Sequence, residues 1–113
     1  MKRGEVWLVN LDPTIGAEIK KSRPCVVVNK DALARLPLKI IVPLTSWDPQ
    51  FSSAPWHVRV KPSKKNGLDL ESSADTFQVR SVSEKRLAHR LGELEPELVE
   101  KINAALSLSL DLN

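Results

Sequence analysis

Arg23 is the residue of this chain best placed to do chemistry. It closes the basic cluster Lys20-Lys21-Ser22-Arg23 and is followed at once by Pro24 and the apolar run Cys25-Val26-Val27-Val28. Proline locks its own φ and restricts the residue before it to extended backbone, so the guanidinium is carried on a restrained strand lip. From there its planar fork of donors can grip an anionic group through two parallel bonds. Two accounts fit: a guanidinium aimed at a negatively charged ligand, or a loop residue in a salt bridge with Glu18.

The other familiar chemistries lack their residues. There is no CxxC and no pair of histidines at ligand spacing, which argues against a structural zinc site. Four glycines form neither a phosphate-binding loop nor a dinucleotide fingerprint. The two histidines, His57 and His89, come with no nucleophile-elbow motif. His57 reads as a surface residue on a basic strand rather than as a general base. Cys25, inside an apolar strand, reads as an inert thiol. An enzyme built from this set would work without metal or cofactor and with few titrating groups. A substrate that carries its own nucleophile suits such a site, and the 2′-hydroxyl of RNA is one.

The chain as a whole agrees with an anionic ligand. Residues 1–91 hold 16 of the 17 lysines and arginines against 9 of the 14 acids, a net +7, whereas residues 92–113 carry one against five, a net −4. A basic body draws polyanions toward it, although a basic surface also serves solubility alone. With 113 residues, 42% hydrophobic and 27% charged, the chain reads as one domain over residues 1–113. No apolar run approaches the roughly 20 residues of a membrane helix, and the opening residues lack a secretory apolar run. A single cysteine suits a reducing compartment, so the expected location is cytoplasmic.

The elements that must position Arg23 follow from pattern. Val6–Leu11 reads as a first strand, ended by Asp12-Pro13, and residues 12–22 as a loop. Pro24–Asn29 is a second strand, covered on both faces because its valines do not alternate with polar residues. Lys30–Leu36 suggests a short helical turn ended by Pro37. Lys39–Leu44 is a third strand, where Pro43 implies an edge or a bulge. Residues 45–55 form a polar loop. Trp56–Lys61 alternates, with Trp56, Val58 and Val60 on one face and a wet basic face of His57, Arg59 and Lys61. Leu68–Leu70 and Thr76–Val79 look like strands, and Ser81 with Glu84 matches a capping box for a helix over 82–87, with His89 near its end. The strongest helix begins at Pro96, with Glu95, Glu97 and Glu100 toward its positive end. Leu98, Ile102, Ala105 and Leu106 form its stripe, widened by Val99 and Leu110. The sum is a mainly β, α+β fold: a small antiparallel barrel or sheet with a C-terminal helix.

These residues also carry a resemblance. "RGEVWLVNLDPTIGAEIKKSRPCVVV" at 3–28 resembles the opening of the MazF/PemK family of toxin endoribonucleases, with Gly4, Asp12-Pro13, Gly16, Glu18 and Arg23-Pro24 in that family's order and spacing. "IIVPLTS" at 40–46, "FQVRSVSEKRL" at 77–87 and the final "EPELVEKINAALSLSL" extend it over nearly the whole chain. The resemblance implies an SH3-like antiparallel barrel and a homodimer. It also implies sequence-specific, metal-independent cleavage of single-stranded RNA and control by a MazE-like antitoxin whose acidic, disordered tail blocks the RNA groove. It implies Arg23 and Thr45 as the catalytic pair.

RNA-binding roles are implied for Glu18, Lys20, Lys21, Ser46, Trp47, Gln78 and Arg80. Lys20 and Lys21 would meet phosphates or be a solvated pair, and Ser46 would bond substrate beside Thr45. Trp47 would stack on a base or pack under its own loop. Gln78 and Arg80 would read a base, hold the site or pack a dimer. The chain departs from the family at "IKKS", where glycines are common, and that leaves its recognised sequence open. Two other readings compete: a gyrase poison of the CcdB type and a non-catalytic nucleic-acid-binding module.

Overall fold

A computed structural model of the chain describes residues 1–112. Seven antiparallel strands and one helix make up the molecule: β1 (Glu5–Asn10), β2 (Ser22–Val27), β3 (Leu38–Ser46), β4 (His57–Val60), β5 (Ser72–Asp75), β6 (Arg80–Ser83), β7 (Leu87–Glu93) and α1 (Pro96–Leu110). Short 3₁₀ turns at 31–33, 49–53, 76–78 and 84–86 join them. The strands run β4-β5-β3-β2-β1-β7, with β6 also on β3, in an open, barrel-like sheet of SH3 style.

β3 is the strand that both halves share. Its Ile41–Pro43 pair with β2, its Leu38–Ile41 with β6, and its Leu44–Ser46 with β5. Pro43 marks the exchange of partners. The Ile40 carbonyl accepts from Val28 N–H at 2.9 Å, so alternate residues 40, 42 and 44 turn their backbone groups toward β2. Pro43 therefore turns its missing donor to the opposite edge, in the gap where β6 has ended and β5 has not begun. The proline sits in a central strand that loses no bond, rather than on an edge or at a bulge.

Cys25, Val26, Val27 and Val28 are all buried, as the unbroken apolar run requires. Val26 and Val28 join Val6, Val42, Leu44, Val58, Val60 and Ala74 in one core beneath α1, which contributes Ile102 and Ala105. Cys25 and Val27 join Val9, Leu11, Ile41, Val82 and Leu87 in a second core on the other face. Helix α1 starts at Pro96, as expected, and closes at Asp111 in the left-handed conformation (φ 55°). There Leu112 N–H donates to the Ser107 carbonyl at 3.0 Å, capping the last turn. Leu98, Val99 and Leu106 pack against the core, but Leu110 is exposed and does not extend the stripe.

Several expectations are corrected. Residues 76–78 form a 3₁₀ turn rather than a strand, with Asp75 accepting from Phe77 N–H at 3.1 Å, and residues 68–70 form no strand. The helix over 82–87 is absent. Ser81 pairs with Ile40 inside β6, and Ser83 caps the turn at 84–86. His89 lies in β7, opposite Leu8. Trp56 precedes β4 and is 40% exposed. The turn at 31–33 occurs where expected, and buried Lys39 anchors the segment around it. Its ammonium donates to the Ala34 and Leu36 carbonyls at 2.9 and 2.8 Å and lies 3.7 Å from Glu84.

Candidate functional site

Thr45 and Ser46 belong to β3 itself, paired with Ser73 and Ser72 of β5, rather than to the loop after it. Arg23 lies inside β2, opposite Val9, because the strand begins at Ser22, two residues before the expected Pro24. Its Nε donates to the Lys20 carbonyl at 3.3 Å. Glu18 is occupied elsewhere, accepting from Ile15 N–H at 2.6 Å, and Arg23 forms no ion pair among the described residues. The Arg23–Glu18 salt bridge is therefore not the reason for the arginine. Arg23, Thr45 and Ser46 line one open cleft of about 270 Å³ together with Leu8, Leu91 and the segment 67–70. A guanidinium and a hydroxyl in one solvent-reached cleft can bind and polarise a phosphate.

The loop that carries Lys20 and Lys21 is closed at its neck. Leu11 N–H donates to the Lys21 carbonyl at 3.0 Å and Lys21 N–H to Asp12 at 3.1 Å, with Lys21 in the left-handed region (φ 69°). Three side chains distant in sequence hold the loop. Gln78 accepts from Ile19 N–H at 2.6 Å and donates to the Ala17 carbonyl at 3.2 Å. Arg80 donates to the Leu11 carbonyl at 3.2 Å, and Arg86 to the Asn10 and Asp12 carbonyls. Gln78, Arg80 and Glu18 border a separate depression of about 440 Å³ and do not line the Arg23–Thr45 cleft. Of the roles open to Gln78 and Arg80, holding the loop is the one their bonds perform. Arg86 was not singled out from sequence, because an arginine in "SEKRL" carries no local sign of a contact 74 residues away.

Trp47 sits at the edge of the cleft's strand under a cation. The Arg59 guanidinium lies 4.6 Å from its ring centre and is held there by Glu71 at 2.6 Å. Phe51 meets the ring edge-on at 6.0 Å. The wet basic face expected on β4 is thus partly covered. His57 stacks flat on Phe51 at 3.8 Å, its Nδ1 lies 2.7 Å from Ser73 Oγ, and its Nε2 lies 3.9 Å from Asp75. Burial lowers the imidazole pKa below its ordinary 6.5, and the Asp75 carboxylate opposes that shift. Burial also pushes the Cys25 thiol up to about 12, against the pull of the nearby Arg80 charge, in keeping with an inert cysteine.

The segment at 67–70 was missed, although "KKNG" marks a turn. Asn66 is fully buried and organises it: its side-chain oxygen accepts from Ser63 and Leu68 N–H at 3.0 Å, and its amide donates to the Lys61 carbonyl at 2.9 Å. Burial raises the Glu95 carboxyl, but bonds from Ser63 and Asn66 outweigh it and leave the pKa below its ordinary value. Among the described residues, no three His, Cys, Asp or Glu are grouped to share a metal ion.

Fold and cleft together define a small, basic, sheet-built protein with an unpaired arginine and a threonine hydroxyl facing one groove. Residues 2–110 match the family model described as PemK-like, MazF-like toxin of type II toxin-antitoxin system. The chain belongs to that family. It is 30% identical over 112 residues to endoribonuclease EndoA of Bacillus subtilis (strain 168), covering 99% of this chain and 96% of that one. It is 32% identical over 118 residues to endoribonuclease MazF9 of Mycobacterium tuberculosis (strain ATCC 25618 / H37Rv), covering 99% and 98%. The same fold occurs in MazF from Deinococcus radiodurans (TM-score 0.81, 22% identity, 98% and 96% covered). It occurs as well in a mycobacterial endoribonuclease solved in complex with its cognate antitoxin (TM-score 0.80, 24% identity, 100% and 97% covered). The helix α1, at 15 residues, is not long and apolar enough to cross a membrane, and no other described helix is.

Proposed function

We propose that this chain is a sequence-specific endoribonuclease toxin that cuts single-stranded RNA without a metal ion, with Arg23 and Thr45 as its catalytic pair. The observation that carries this reading is their shared cleft, in which the Arg23 guanidinium forms no ion pair among the described residues. The substrate's own 2′-oxygen attacks the adjacent phosphorus as the bond to the 5′-oxygen breaks, leaving a 2′,3′-cyclic phosphate and a 5′-hydroxyl. Charge that grows on the non-bridging oxygens is met by the guanidinium, pre-positioned by the Lys20 carbonyl and by Pro24. Arginine, with a pKa above about 12, does not take the proton. Thr45 both donates and accepts through one hydroxyl, which suits a relay: it gives its proton to the departing 5′-oxygen and takes up the proton released by the attacking 2′-hydroxyl.

Ser46 lies beside Thr45 in the same cleft and bonds the substrate there. Lys20 and Lys21, exposed on the stapled loop, steer the phosphates, and Trp47 offers a ring face to a base. Residues 1–113 act as one domain, paired with a second copy, in the cytoplasm. A MazE-like antitoxin with an acidic tail restrains the protein. Family membership and the antitoxin complex of the mycobacterial structure support that partner.

The deciding experiment digests a long single-stranded RNA in excess EDTA and maps both new ends. Cyclic-phosphate and 5′-hydroxyl ends at one short sequence, absent with Thr45→Ala, are the expected result. Intact RNA with folded protein overturns the reading and directs the next assay to gyrase.

A further inference from the structure

We propose that the cleft beside Arg23 and Thr45 seats one unstacked base whose Watson–Crick edge is read by the Asp69 carboxylate. The inference rests on the ribonuclease reading above and names a specificity determinant for that same site. Asp69 lines the cleft, is exposed, and forms no ion pair among the described residues. A bare carboxylate is out of place in a groove for a polyanion, because it repels every phosphate that enters. It is in place where a ligand presents N–H donors.

The surroundings are those of a ring rather than of a phosphate. Leu8, Leu44, Leu68 and Leu91 supply apolar wall, and the volume of about 270 Å³ lies just under that of sites for whole drug-sized ligands, roughly 300–1,000 Å³. Bases splayed out of a single strand bury their faces against such walls and leave their edges to be read.

The backbone that carries this carboxylate is anchored on both sides. Gly67 has a φ of +70°, and a Cβ there would stand 2.0 Å from the Leu91 carbonyl oxygen, so this segment is pressed onto β7. Asn66 fixes Leu68 N–H from one side, and on the other the Glu71 carbonyl accepts from Trp47 N–H at 3.1 Å. Asp69 stands between these two anchors, which limits how far the backbone presenting its carboxylate can move.

A carboxylate accepts only. Guanine offers it two adjacent donors, N1–H and the N2 amino group, and can bond both oxygens. Cytosine and adenine offer one amino group each. Uracil offers N3–H between two carbonyl oxygens that the carboxylate repels. The order of preference is guanine, then cytosine and adenine, with uracil rejected.

The test is cleavage of a short RNA library randomised on both sides of the cut, with kcat/KM for each sequence read by sequencing. Wild-type protein should reject uracil at one position near the cut. Asp69→Asn, which adds a donor, should reduce that discrimination by roughly tenfold to a hundredfold. Asp69→Ala should relax it without restoring preference for any base. An unchanged motif in both variants overturns the base reading, as does a wild-type motif that accepts uracil at every position. A uniform fall in kcat across all sequences assigns Asp69 to proton transfer and overturns it too. Wild-type protein that cuts no RNA removes the ribonuclease reading itself, a different failure from a variant with an unaltered motif.

Discussion

The Arg23 side chain makes one hydrogen bond among the described residues, to the Lys20 carbonyl, and no ion pair, so its charge is not consumed by the fold. We therefore expect Arg23→Ala and Thr45→Ala each to lower RNA cleavage by at least about 100-fold while leaving the melting temperature within a few degrees of wild type. Arg23→Lys keeps the charge without the planar fork and should recover little of the rate. Cleavage at the wild-type rate by both alanine variants would sink the assignment. Cys25 makes a second prediction at this scale. With its thiol at about 12 and no exposed surface, it should resist alkylation at pH 8 until denaturant is added, followed by mass spectrometry. Arg23 was legible because Pro24 and the valine run announce a strand mouth. Asp69 was not, since a single carboxylate in a polar turn shows its meaning only when a distant strand brings Thr45 beside it.

Between the strands, the binding loop and the cleft wall are each held by groups far away in sequence. Gly67 is the sharpest case. Gly67→Ala asks for a left-handed alanine and drives a methyl into the Leu91 carbonyl, so we expect it to cost more than about 2 kcal/mol by urea titration. Removing the Gln78 amide takes two bonds from the β1–β2 loop. Gln78→Ala should speed amide exchange at residues 15–20 more than anywhere in the sheet. The strands around Arg23 were readable because they are apolar on both sides. β7 was not foreseen: "LAHRLGE" exposes Ala88, His89 and Arg90 and buries Gly92, whose Cβ would lie 2.3 Å from the Lys65 carbonyl. A strand whose reason is the backbone of another loop leaves little trace in hydrophobic pattern. The turn at 84–86 carries a helix signal in its sequence for a related reason. Serine and glutamate three apart satisfy a capping box equally well in a strand followed by one tight turn.

Over the whole molecule, the charge division of +7 and −4 gives RNA binding a strong ionic component. For Thr45→Ala, expected to cleave too slowly to interfere, log K should fall linearly with log salt. Replacing Lys20 and Lys21 together by alanine should flatten that slope by about 1.4, at about 0.7 per phosphate contact. Acid stability follows from His57. Burial under Phe51 lowers its pKa in the folded state, so above pH 6.5 the ring is neutral in both states and its contribution is complete. As pH falls below 6.5 the unfolded chain binds the proton first, and stability declines toward the folded value. A melting series from pH 7.5 to 5 should show that loss, and His57→Gln should reduce it. Unchanged acid sensitivity in the variant would place the loss elsewhere.

The pairing of β1 with β7 joins Glu5 to Glu93, and Leu8 and Leu91 from these two strands both line the cleft. The order of synthesis therefore matters. A chain emerging from the ribosome presents Arg23 and Thr45 early, but their cleft lacks Leu91 until residues 87–93 are free to close on β1. Pairing over so long a stretch pays its loop-closure entropy before any contact rewards it, which makes it slow beside the local strand pairings. A ribosome making this protein is consequently tethered to an unfinished site throughout elongation, and its own messenger is within reach of a completed one only after the last strand has been delivered.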